Sequence, residues 1–86
     1  MKTFVMFLDD HHGDGRLALW LAAPTGVQAL MIDAEPHRFF FPPYVGGRGW
    51  LGVRLDTDVD WAEVNGIVRD AYCCVAPAKL VALVAR

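Results

Sequence analysis

The chain contains no serine, and its only cysteines, Cys73 and Cys74, are neighbours. The first absence removes every serine-based nucleophile, and the second leaves no pair spaced to staple a long loop, so the thiols are expected to be free in a reducing compartment. No apolar run approaches the roughly 18 residues that signal a membrane span. The opening MKTFVMFLDD reaches acidic residues too soon for a signal peptide, so a cytoplasmic location and no membrane association are expected. Basic charge is also scarce: eight Lys and Arg stand against ten Asp and Glu, a net charge of −2. A clearly basic domain is the simplest mark of a nucleic-acid binder, so any DNA contact here has to use a local patch.

What the chain does have is apolar residues. Of its 86 residues, 53 are apolar or glycine, above the roughly 45–50% typical of soluble domains. A chain this short holds one core and therefore one domain, residues 1–86. The surplus implies either apolar surface that meets a partner subunit or a core completed by further sequence.

Thr3–Leu8 (TFVMFL) and Arg16–Ala23 (RLALWLAA) flank the turn-rich DDHHGDG and predict an antiparallel hairpin. In the second run Leu17, Leu19 and Leu21 share one parity and are expected inward, which sends Arg16, Ala18 and Trp20 outward. Pro24-Thr25-Gly26 breaks the strand, and Val27, Leu30, Met31 and Ala34 then recur at helical spacing until Pro36. His37–Tyr44 (HRFFFPPY) is too rich in proline for a central strand and reads as an edge segment anchored by its three phenylalanines. Trp50–Leu55 alternates again, with Leu51, Val53 and Leu55 inward and Trp50, Gly52 and Arg54 outward. Asp60 followed by Glu63 predicts a helix start, and Trp61, Val64, Val68, Ala71 and Val75 form an apolar stripe beyond it. Pro77 opens a last helix, Ala78–Arg86, with Leu80, Leu83 and Val84 inward.

The order FFFPPYVGGRGWLGVRLD, VDWAEVNGIVRDAY, VAPAKL resembles the C-terminal half of the MmcQ/YjbR family, and Phe4–Ala23 is similar, more loosely, to that family's middle hairpin. The resemblance implies an α+β fold, an antiparallel sheet with helices packed on one face, comparable to the frataxin-like arrangement. It also implies a double-wing DNA-binding label that rests on fold comparison. Relatives of this type usually open with a helix and a further strand, so the chain is expected to leave a gap that a partner fills, most simply in a homodimer.

Outward parity collects Arg16, Trp20, Trp50 and Arg54, with Arg48 in the adjoining turn, as an aromatic and guanidinium face for nucleic acid. Its alternative is a pair of tryptophans under other elements or at a subunit interface. Tyr44-Val45-Gly46-Gly47-Arg48-Gly49-Trp50 is the most distinctive stretch. Arg48 can grip a phosphate or carboxylate while the backbone of Gly46 and Gly47 forms an anion nest, or the glycines can simply shape a loop. Without a Lys-Ser/Thr ending or a strand-to-helix setting it is no P-loop.

The acids and histidines of Asp9, Asp10, His11, His12 and Asp14 lack helical zinc or EF-hand spacing, so no metal and no cofactor are expected. The same holds for Asp56, Asp58 and Asp60. No histidine is spaced to activate Cys73 or Cys74, and no catalytic residue is assigned. The expected function is a small non-catalytic binding module for DNA, with a protein–protein interaction module or homodimer as the alternative.

Overall fold

The computed structural model describes residues 2–84, apart from the side chains of His12, Leu83 and Val84. Four strands, β1 (Val5–Asp9), β2 (Leu17–Leu21), β3 (Phe39–Phe40) and β4 (Leu51–Arg54), form one antiparallel sheet in the order β1-β2-β4-β3. Three helices accompany them: α1 (Val27–Ala34), α2 (Trp61–Val75) and α3 (Ala78–Val84). The protein is therefore α+β. The expected continuation of α3 through residues 85 and 86, and the inward packing of Leu83 and Val84, lie outside the described residues.

The hairpin loop is folded by its own acids. Asp10 takes a left-handed conformation (φ 52°), its Oδ1 accepts from the Gly15 N–H at 2.8 Å, and Asp14 Oδ1 accepts from the Arg16 N–H at 2.9 Å. Short polar side chains tolerate that backbone because they bond it locally. Asp60 caps α2 as its position predicts, accepting from the N–H groups of Ala62 and Glu63 at 3.1 and 3.2 Å.

Register places Phe39, Val53 and Leu19 on one face of the sheet, together with Leu51 and Leu21, and all but the half-buried Leu19 are buried. Helix α2 contributes Val64 and Ala71 to the core. Its docking is fixed by Arg38, whose guanidinium lies 4.9 Å from the Phe39 ring centroid, donates to Glu35 at 2.7 Å and also donates to Glu63 on α2. Glu63 thus ties the helix to the sheet beyond its place in the first turn. The hydrogen bonds of Arg38 to both carboxylates, Glu35 first, raise its pKa further and keep it charged.

The other face departs from its expected exposure. Ala18, Trp20 and Trp50 are 1%, 2% and 5% exposed, so the parity that was to point outward is also interior. Strand alternation distinguishes two faces but says nothing about which irregular segment covers each. His11, in the 3-10 turn His11–Gly13, packs edge-on against Trp20 with ring centroids 4.8 Å apart, and Tyr44 lies 6.2 Å beyond it.

Other apolar assignments also shift. Leu30 is 70% exposed and Trp61 64%, so neither belongs to a buried stripe; Met31 and Ile32 pack against the core from α1 instead. Phe39 and Phe40 anchor the edge segment, whereas Phe41 is 60% exposed.

Candidate anion-binding cleft

Residues 41–50 link β3 to β4 and shape the site. Pro42 is buried and fixes the segment to the core, while Tyr44 is 79% exposed in a left-handed conformation (φ 63°) that costs a residue with a Cβ about 1–2 kcal/mol. The chain then turns through a 3-10 segment, Gly46–Arg48. The ring of Phe41 lies directly over Gly46, where any Cβ would collide with it, so this glycine serves packing. Gln28 of α1 pins the turn from behind: its Nε2 donates to the carbonyls of Gly46 at 2.8 Å and Trp50 at 2.6 Å.

Those bonds alter the expected anion nest. The N–H groups of Val45, Gly46, Arg48 and Gly49 donate to the carbonyls of Pro43, Pro42, Val45 and Gly46, so they close the loop on itself. Gly47 is exposed with open space around it. What the turn offers a ligand is the Arg48 side chain, exposed at its surface, with the guanidinium 5.2 Å from the Trp50 ring centroid. Trp50, otherwise buried, supplies a cation–π support that keeps Arg48 over the protein and leaves its N–H groups free to bond outward.

Arg48 and Trp50 form one wall of an open cleft of about 520 Å³, whose other lining residues are Lys2, Thr3, Met6 and Val45. Two cations, one hydroxyl and an apolar floor therefore converge. Neither cation makes an ion pair among the described residues. Lys2 had no signal in the sequence: it precedes β1, and only the pairing of β1 with β2 carries it toward the turn.

The remaining candidates separate from this cleft. Arg54 is held by Asp56, Nε to Oδ1 at 2.9 Å and Nη2 to Oδ2 at 3.0 Å, a fork that uses the guanidinium within the protein. The same bonds hold the Asp56 carboxyl below its ordinary range and raise the Arg54 pKa. Arg16 lies over the Phe40 ring at 4.0 Å. Trp20 and Trp50 are too buried to stack with a base. Along β4, Arg54 and Trp50 are four residues apart, roughly 13 Å in a strand, so the expected continuous face divides into two ends.

Among the described residues no group of three or more metal-ligating side chains comes together. Cys73 and Cys74 are free thiols in α2. Burial first, then Asp70 and Cys73, push the Cys74 pKa up, the direction that disfavours a nucleophilic thiolate. Among the described residues no helix is long and apolar enough to cross a membrane.

The fold and cleft define a small α+β domain with a four-stranded antiparallel sheet and an open, cation-walled surface site. The chain belongs to the YjbR family, whose model matches residues 1–74. The match includes the hairpin as well as the motifs from Phe39 to Tyr72, and ends before VAPAKL. No curated protein and no solved structure matches the chain.

Proposed function

We propose that the protein is a non-catalytic binding module that holds DNA phosphates at the Lys2–Arg48 cleft. The observation that supports this most directly is the convergence of two cations without acidic partners on a cleft beside an exposed loop. Phosphate contacts need mobile or forked donors facing solvent, which Lys2 and Arg48 supply and Arg54, engaged by Asp56, does not. Tyr44 and Phe41, both more than half exposed on that loop, are the aromatics able to meet a base or sugar. With a net charge of −2, the contact is confined to this patch.

A protein partner is the second reading, favoured by the exposed Phe7, Leu30 and Trp61, which lie outside the cleft.

Titration into a labelled DNA duplex, followed by anisotropy at low and near-physiological salt, tests the first reading. Saturable binding should weaken with salt, and Lys2→Ala and Arg48→Ala should each lower the log–log salt slope by about 1. Arg54→Ala should leave binding unchanged. Absence of binding at low salt by folded protein, or equal losses in Arg48→Ala and Arg54→Ala, would reject a DNA site at the cleft.

A further inference from the structure

We infer that β1 is an interface on which a second copy of this chain pairs antiparallel, centred on Phe7, joining the two sheets into one. The two edges of the sheet are unlike. Strand β3 is two residues long and is flanked by Pro36 and by Pro42-Pro43, so little of it can accept another strand. Strand β1 has five residues, VMFLD, without proline or glycine, and Phe7 at its centre is 63% exposed. None of the usual devices that blunt an edge is present within it before Asp9.

The hydrogen bonds give this edge a direction. Ala22 N–H donates to the Phe4 carbonyl and Asp10 N–H to the Arg16 carbonyl, so residues of Phe4's parity bond inward to β2. Val5, Phe7 and Asp9 therefore turn their N–H and C=O groups away from the sheet. A two-fold antiparallel pairing that uses all three sets Phe7 opposite Phe7 and Val5 opposite Asp9, making about six interchain bonds. No other symmetric register engages all three residues of each copy. The two Phe7 rings then lie side by side on one face, each covering the other's exposed surface.

Charge selects a second copy as the occupant. In this register the acidic end of one β1, Asp9 and Asp10, reaches the end of the other where Phe4 precedes the strand. Phe4 shares an open groove of about 310 Å³ with Asn65, Val68, Arg69 and Tyr72, and its ring packs edge-on to Tyr72 at 5.5 Å. Arg69 is exposed and forms no ion pair among the described residues. Two-fold symmetry meets each acidic end with an Arg69, while the apolar walls of both grooves are covered.

Sedimentation velocity across a concentration series is the test, with Phe7→Lys, Phe7→Glu and Arg69→Glu variants. Because Phe7 and Arg69 are exposed, the variants should keep the parent's circular dichroism spectrum. The parent should dimerise with rising concentration, Arg69→Glu should weaken the dimer, and Phe7→Lys and Phe7→Glu should each lose it. An equimolar mixture of those two should recover it, because only this register opposes position 7 to itself. A parent that remains monomeric at the highest soluble concentration, a Phe7→Lys variant that still dimerises, or a mixture that stays monomeric would overturn the proposal.

Discussion

Substituting Gly52 by Ala tests the packing of the sheet face that alternation alone places in solvent. Gly52 is buried between Trp20 and Phe40 in the register, and the Phe40 ring lies across its Cα. An added Cβ would sit 2.6 Å from Phe40 Cε2 and Cζ, well inside van der Waals contact. The ring cannot simply lift, since the Arg16 guanidinium lies 4.0 Å above it and only 8% of Phe40 is exposed. Overpacking of this kind costs about 1–3 kcal/mol. Replacing glycine offsets about 0.5–1 kcal/mol of that by restricting the unfolded chain. The net loss should be about 1–2 kcal/mol, which in a domain of this size lowers Tm by roughly 5–15 °C. Urea and thermal unfolding followed by circular dichroism measure it. Phe40→Leu removes the ring from above Gly52, so in that background Gly52→Ala should be nearly neutral. A substitution that is harmless in the parent, or equally costly in both backgrounds, would show that the Phe40 ring does not close this face over Gly52.

Two further stability predictions follow from the ion pairs. Arg38→Ala should cost about 1–2 kcal/mol, because it releases two partly exposed carboxylates and the contact with Phe39, while Arg38→Lys should recover only part of the loss without the fork; chemical denaturation reads both. Arg54 depresses the Asp56 pKa below its ordinary 3.8, so the stability this pair contributes is complete above that value and disappears as pH falls through the lower folded value. The urea midpoint, measured from pH 5 down to pH 2, should therefore fall less steeply in Asp56→Asn than in the parent.

Much of the fold was legible because local rules and burial agreed. The hairpin, the break at Pro24–Gly26, the stop at Pro36, the Asp60 cap and the stripe of Val64, Val68, Ala71 and Val75 each follow from short-range chemistry. That chemistry acts in the unfolded chain as much as in the folded one. The motifs from Phe39 to Tyr72 likewise carried the family, which the match over residues 1–74 bears out. The candidate site was legible only in part. Arg48 stood out because an arginine among glycines on a turn has few structural reasons to be there, and it does reach solvent. Arg54 carried the same signal, yet Asp56 two residues on captures it, a choice that depends on how the chain bends after β4.

Sequence by itself determined which residues would form strands and helices, because periodicity and capping are properties of neighbours along the chain. Tertiary structure alone decided what covers the second face of the sheet. A 3-10 turn has no periodicity to read, yet it packs His11 against the buried Trp20, while strand pairing brings Lys2 beside Arg48. Distant segments meet there through strand pairing across the sheet, and no local pattern records which of them will be neighbours.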